Sequence, residues 1–227
     1  MSADTAEDTP NTRLMTLPGV YAPQHDTRLL LAALNREAVG PGTEVLDVGT
    51  GSGALALRAA QLGARVTAVD IARRAVVTAR LNALLHRRRI TVQRSDLLAA
   101  LPGRSYDLVI CNPPYVPSPV GRLPGHGAAR AWEAGCDGRA ILDRVCATAP
   151  AALRPGGRLL LVHSGLCDSD VTLRRLSDAG LRARVSDRAL VPLGPVLRSR
   201  LRWLRDTGLV DEGETAEELV VIRAEQA

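Results

Sequence analysis

The feature that most constrains this chain is the stretch Leu46-Asp47-Val48-Gly49-Thr50-Gly51-Ser52-Gly53. It closes a β-branched run, 43–48, and opens a helical one, 53–62. Three alternate glycines between a strand and a helix let the backbone turn tightly and approach a ligand with no Cβ in the way. The rest of the chain repeats the alternation. Strands are expected at 64–69, 90–93, 106–111, 158–163, 181–185 and 218–223, and helices at 72–87, 139–151 and 168–179. Seven strands interleaved with helices imply an α/β domain, a mostly parallel seven-stranded sheet with helices on both faces. The near-continuous apolar strands suit burial on both sides. Residues 1–17 are polar and are expected to form a disordered tail, with one domain over 18–227.

Composition excludes several classes. A chain of 227 residues can bury a core without disulfides or metal. No apolar run approaches the roughly 20 residues needed to cross a bilayer. The acidic, polar start does not resemble a secretory signal. Cys111, Cys136, Cys146 and Cys167 show neither CxxC pairing nor zinc spacing, and are read as free thiols in a reducing cytoplasm. The net charge of +5 suggests nucleic acid, but every basic side chain is Arg, with no Lys and no Phe anywhere. That bias fits a GC-rich coding sequence better than a surface selected for phosphate, and the arginines are read as spread along the chain.

Open α/β sheets bind ligands beyond the carboxyl ends of their strands. Asp47, Asp70, Asp96 and Asn112 all lie at or just after expected strand ends, so they should converge. Asp70, followed by Ile71, can accept hydrogen bonds from two ribose hydroxyls. A P-loop requires Lys, which is absent. A dinucleotide remains open, although Asp47 beside the glycines would face a pyrophosphate unfavourably. A purely structural glycine turn also remains open. An acidic residue at 47 suits best a cofactor whose tail carries an amine and a sulfonium, as S-adenosylmethionine does.

The fourth expected strand ends in Cys111-Asn112-Pro113-Pro114-Tyr115. The prolines restrict the backbone and hold Asn112 in a set conformation at the sheet edge. The Asn112 side-chain carbonyl and the Pro113 carbonyl can both accept hydrogen bonds from one NH2 group. That would fix a planar amide or base nitrogen with its lone pair toward the methyl donor, and Tyr115 can pack on the planar face. Trp132 is read either as substrate packing or as core. His25, beside Asp26, is read as a surface histidine with a general base as the alternative; His126 lies in the Gly- and Pro-rich loop 116–129, with a substrate role as its lesser reading; His86 and His163 are read as structural. Leu197, Leu201 and Leu204 fit one helical face, with Arg198, Arg202 and Arg205 on another, read as a solvated face, or else as a clamp on an acidic partner or RNA-associated substrate.

At this point the sequence resembles the NPPY methyltransferases of class I, and more closely the HemK-type protein glutamine methyltransferases, in the short branch lacking a separate N-terminal helical domain. The segment Tyr21-Ala22-Pro23-Gln24-His25-Asp26-Thr27 is similar to that branch's YEPAEDT, with Ala22 and His25 in place of two glutamates. Arg130-Ala131-Trp132 through Gly135-Cys136-Asp137-Gly138-Arg139 resembles its RAW…GxxGR segment, and 217–223 matches its end. The segment 190–213 looks longer than in archaeal and eukaryotic relatives.

The resemblance implies a Rossmann-like fold, S-adenosylmethionine as cofactor, and a release-factor glutamine as acceptor. It implies Thr27 at the methionine end of the cofactor, Asp47 and Gly49 at its amino-acid portion with Gly51 and Gly53 in the same loop, Asp70 and Ile71 at the ribose, and Asp96 with Leu97 at the adenine. It gives Asn112, Pro113 and Tyr115 the chemistry, with Asn112 binding both the substrate and the cofactor pocket and Trp132 beside the substrate. It also implies a possible small activator protein. The rivals are adenine amino methylation in DNA or RNA, a small-molecule acceptor, and a non-catalytic cofactor-binding protein. The absence of a target-recognition domain argues against DNA, and the intact Asp47, Asp70 and Asn112 set against the last.

Overall fold

The computed structural model describes residues 14–98, 103–125 and 127–226. Seven strands form one sheet: β1 Glu44–Val48, β2 Arg65–Asp70, β3 Ile90–Arg94, β4 Tyr106–Cys111, β5 Leu153–Ser164, β6 Leu181–Pro192 and β7 Ala216–Gln226. The order across the sheet is β3-β2-β1-β4-β5-β7-β6. The first five strands run parallel, and β7 is antiparallel to both of its neighbours. The strand order reverses at β1–β4, and that switch point is where an open α/β sheet leaves a crevice.

The helices are α1 His25–Arg36, α2 Ala54–Gln61, α3 Arg73–Leu85, α4 Ala140–Ala152, α5 Ser169–Asp178, α6 Pro195–Ser199 and α7 Leu201–Asp206. They cover both faces of the sheet and split the core in two. One cluster packs α4 and its neighbours on Leu46, Val109, Leu159, Leu161 and Ile222. The other packs α1, α2 and α3 on Val45, Ala68, Ile110, Leu160 and Val221. Alternate residues of one strand serve opposite clusters, which is why these strands read as apolar throughout.

The expected elements are present, with shifted boundaries. β5 begins at Leu153 and crosses a register shift opposite Tyr106/Leu108 before the expected 158. β6 continues to Pro192, because β7 offers it a partner along its whole length. The single helical face expected over 197–204 is divided at Arg200 (φ −110°, ψ 5°) into α6 and α7. Leu197 and Leu204 are buried in a third cluster with Leu193 and Val210. The sequence reading assigned no element to 25–36, which is α1; it buries Asp26, Leu30, Ala33 and Leu34 at helical spacing.

The expected tail lies mostly outside the described residues. Its last part does not behave as one: Met15 donates its N–H to Asn82 Oδ1 (2.9 Å) and accepts from Asn82 Nδ2 (2.8 Å). Asn82 is fully buried on α3, so it holds this segment against the domain. His126 also lies outside the described residues. His163 is buried, its Nδ1 2.8 Å from the Ser164 carbonyl, and burial pushes its pKa down to about 4. That fits a structural residue. His25 is exposed.

Candidate functional site

A cavity of about 290 Å³ opens at the carboxyl ends of β1, β2 and β4. One wall comes from the loop after β1. Gly49 and Gly51 line it with left-handed backbones (φ 71° and 55°) that a side chain would strain. A Cβ on Gly49 would also come within 3.8 Å of the Asn112 carbonyl. The Gly49 and Thr50 N–H groups both donate to the Val69 carbonyl, which ties the turn to β2.

Asp70 lies on the cavity wall at the end of β2. Its carboxylate accepts from Gly51 N–H (3.0 Å) and Ala72 N–H (2.8 Å). Burial raises its pKa, opposed by those two bonds. Each oxygen keeps lone pairs for a further donor, so the group can receive hydroxyls. Ile71, Asp96, Leu97 and Thr27 line the same cavity. Leu97 is held at φ +49°, a backbone strain of the kind that clusters at binding sites, with Ser95 Oγ on its carbonyl at 2.7 Å. Asp96 pairs with Arg144, also on the wall, at 2.9 Å.

Two residues expected at the cofactor stand elsewhere. Asp47 is fully buried beneath the loop and is not on the cavity wall. Its Oδ2 accepts from Thr50 Oγ1 (2.6 Å) and from the Ala56 N–H in the first turn of α2 (3.1 Å). A carboxylate there satisfies an otherwise orphaned helix donor. Its Oδ1 is buried with no partner among the described residues. Burial raises the group to about pKa 7, against the two hydrogen bonds that favour the charge. Gly53 also lies off the wall: its left-handed φ of 86° starts α2, and a Cβ would press on Ala79 of α3 at 3.2 Å. Asp47 and Gly53 therefore shape the loop from below.

The opposite wall is assembled from distant segments. Asn112, Pro113, Pro114 and Tyr115 line it, together with Tyr21, Trp132 and Glu133. Asn112 Nδ2 points to Thr27 Oγ1 at 3.4 Å, which leaves the side-chain carbonyl free to accept. Thr27 in turn stands on Asp26, its N–H 2.5 Å and its hydroxyl 3.2 Å from Asp26 Oδ1. Asp26 Oδ2 accepts from Tyr21 (2.7 Å) and Tyr115 (3.0 Å). One buried carboxylate thus sets Asn112 through Thr27 and fixes two aromatic rings. Both phenols are pushed up, by burial first and then by Asp26. Sequence reasoning missed Asp26, although its spacing to Leu30 and Leu34 marks it as facing inward on α1.

The loop after Asn112 is braced from behind. Val116 exchanges backbone bonds with Trp132 (2.7 Å) and Ala134 (3.1 Å), so Trp132 is carried on a paired segment at the cavity wall. Cys167 Sγ donates to the Tyr115 carbonyl at 3.1 Å. Gly138 has no room for a side chain, because a Cβ would lie 2.3 Å from that same carbonyl. Arg139 is buried and bonds the Cys167 and Asp168 carbonyls. Arg200, between α6 and α7, bonds the Pro117 carbonyl (2.8 Å) and pairs with Glu133. The segment 190–213 is therefore a buttress for the acceptor wall, and Arg202 is almost fully exposed outside it.

Chemically, the cavity offers a glycine-floored slot with carboxylate acceptors at one end and a free amide carbonyl among aromatic rings at the other. The first end fits a nucleoside with hydroxyls and a cationic tail. The second fits an uncharged planar NH2 group. Among the described residues no cluster of His, Cys, Asp and Glu could hold a metal, and no helix is long and apolar enough to cross a membrane.

Comparison with known proteins gives a consistent result. Residues 11–120 match the family model of the methyltransferase small domain. A Methanocaldococcus jannaschii chain named "putative protein N5-glutamine methyltransferase" is 33% identical over 181 residues, covering 79% of this chain and 90% of its own. The release factor glutamine methyltransferase of Bordetella pertussis is 37% identical, over 76% of this chain and 67% of its own. Among solved structures, the E. cuniculi Mtq2–Trm112 complex, responsible for methylating the eRF1 translation termination factor, aligns with TM-score 0.63 and 25% identity. That alignment covers 92% of this chain and 99% of the other. The 16S rRNA N2 G1207 methyltransferase of T. thermophilus aligns with TM-score 0.59 at 24% identity, over 93% of this chain and 46% of its own, a likeness of fold alone.

Proposed function

The chain belongs to the HemK-type family of protein glutamine methyltransferases, and from that premise we propose that it methylates the side-chain amide nitrogen of a glutamine in a peptide chain release factor. The cofactor is S-adenosylmethionine, which when bound supplies an electrophilic methyl group on a sulfonium. The observation that carries the reading is the orientation of Asn112: its NH2 is engaged by Thr27, so its carbonyl is the group left for the acceptor.

The residues then divide the work. Asp70 receives the ribose hydroxyls, while Asp96 and Leu97 flank the base. Asn112 Oδ1 and the Pro113 carbonyl accept both hydrogens of the glutamine NH2 and turn the nitrogen lone pair toward the methyl group. Holding a weak nucleophile in line substitutes for activating it, and such positioning accounts for several kcal/mol of a barrier. Formation of the N–CH3 bond would break the bond from that methyl to sulfur, which keeps the electron pair, and the nitrogen would release one proton along its hydrogen bond to Asn112 Oδ1 or the Pro113 carbonyl and on to water. Tyr115 and Trp132 pack on the flat amide and keep water away, and Asp26 holds Tyr115 in place. The groups next to Asn112 are prolines and aromatic rings, and the nearby carboxylates are taken up by Tyr21, Tyr115, Thr27 and Arg200, which suits an uncharged side chain.

A release-factor substrate puts the enzyme in the cytoplasm, and the Mtq2–Trm112 relative extends the proposal to a small partner protein. The deciding experiment labels a lysate with tritiated S-adenosylmethionine and splits it between protease and nuclease, beside a reaction on purified release factor. Protease-sensitive label, and a single methyl mapped to a glutamine by mass spectrometry, are expected. Nuclease-sensitive label with an unmodified release factor would transfer the reading to adenine.

A further inference from the structure

The outward face of α3 has no use in the chemistry above, yet it is unlike the rest of the surface. Val77, Leu81, Leu84 and Leu85 recur at i, i+4, i+7 and i+8, one face of the helix. They are 46%, 37%, 75% and 59% exposed. With Met15, 45% exposed and held on α3 through Asn82, they make up five of the seven large apolar side chains exposed among the described residues. A contiguous exposed apolar patch rimmed by polar residues marks an interaction site.

The segment that carries it is basic. Residues 71–95 contain seven arginines and no acid, so the remainder of the chain is net acidic and the arginines are not evenly spread. Outside this segment about half of the described arginines pair with carboxylates, among them Arg36, Arg139, Arg144 and Arg223. None of the seven forms an ion pair among the described residues; Arg74, Arg80 and Arg94 reach only backbone carbonyls.

The face is continuous with the cavity. From Met15 at Asn82 the chain runs along α3 to Pro18, whose carbonyl accepts from Arg74 at 3.1 Å. It then enters the cavity wall as Gly19, Val20 and Tyr21. With 13 residues, α3 extends this surface about 20 Å from the rim.

We propose that this face docks an acidic, partly apolar patch of the substrate protein, outside the cleft that takes the glutamine. It rests on the release-factor reading, and it deepens it by naming a second contact. Exposed leucines favour a protein over RNA, whose phosphates and base faces give them little to pack on. Arginine attracts the acidic patch and sets orientation, and the apolar stripe supplies burial.

The test is steady-state methylation of purified release factor by wild type and by the Arg87→Glu/Arg88→Glu/Arg89→Glu variant, with calorimetric S-adenosylmethionine affinity alongside. KM for the release factor is expected to rise about tenfold, with kcat and cofactor affinity within about twofold. Added salt should raise the wild-type KM toward the variant's, because exposed charges are screened. Leu84→Ser, a milder change at an exposed site, should raise KM about threefold if the triple variant folds poorly. An unchanged KM in both variants sinks the docking surface and leaves the release-factor reading intact. A fall in kcat equal to that in kcat/KM, or a dimer by light scattering that the variant dissolves, also overturns it. So does lost binding of a labelled rRNA hairpin with normal release-factor kinetics. Wild type that never modifies the release factor overturns the reading and the surface together.

Discussion

The two walls of the cavity are held together over very different distances along the chain. On the cofactor side, Asp47 bonds Thr50 three residues on and Ala56 nine on, and Gly51 meets Asp70 nineteen away. On the acceptor side, Asn112 meets Thr27 across 85 residues, Tyr115 meets Asp26 across 89, and Arg200 meets Pro117 across 83. The cofactor wall is thus a local strand–loop–helix unit in which nearby backbone N–H groups hold the carboxylates in place. The acceptor wall is a convergence of four segments whose side chains hold each other. Changes on the first side should therefore affect cofactor affinity, and changes on the second the chemical step or the acceptor's KM.

The sharpest test of that division is Asn112→Ala. Single-turnover methylation should slow by about 10²-fold or more, the usual scale for losing a preorganised polar contact. Cofactor affinity by calorimetry should stay within about tenfold, because Asp70, Asp96 and the glycine loop remain in place on the cavity wall. Near-normal turnover would remove the positioning role.

Asp70→Ala should produce the opposite pattern. The lost hydrogen bonds to a charged group correspond to about 1.5–3 kcal/mol of cofactor affinity. At saturating cofactor, kcat should change little. Unchanged calorimetric affinity would break the assignment of the cofactor wall.

A smaller effect is expected at Arg200→Ala, which removes the brace on Pro117 and Glu133. The KM for the acceptor should rise about three- to tenfold while cofactor affinity holds, since misplacement of a supported wall weakens orientation before binding of the other ligand. Arg200→Lys should recover part of it, and Arg202→Ala, at a side chain 96% exposed, should do nothing. Equal effects at 200 and 202 would dissolve the buttress.

The last test reads stability against pH rather than turnover. Burial raises the Asp47 carboxyl to about 7, against Thr50 and Ala56. In the unfolded chain it titrates near about 4. Between those values the folded state holds a proton that the unfolded state has lost, so this group's contribution to stability falls as pH rises from about 4 to 7. Asp47→Asn removes the titration. The melting temperature of wild type relative to Asp47→Asn should decline across that window and level off above it. A flat difference would show that the carboxylate is ionised in the folded protein throughout.

Much of the cofactor wall was legible before folding. A β-branched run, three glycines and a helical run already dictate a tight turn at a strand end, and Asp70 follows from the end of the next strand. Asn112 was legible for the same reason, because Pro113 and Pro114 restrict it locally. What misled was the direction of side chains that serve the loop from beneath. Asp47 and Gly53 stand in the motif, but one bonds the first turn of α2 and the other admits α3. Periodicity separates faces of a strand; it does not say which end of a buried carboxylate reaches a ligand.

The sequence by itself determined the alternation of strands and helices, the glycine turn and the prolyl strand end, because each rests on backbone preferences acting over a few residues. Only the tertiary structure decided that Asp26 anchors Tyr21, Tyr115 and, through Thr27, Asn112, and that 190–213 braces the acceptor wall. It also decided that the arginines of 71–95 surround an exposed apolar stripe. Those facts depend on which buried polar groups find partners across the sheet, and a buried carboxylate takes whatever donors the fold brings to it rather than the nearest in sequence.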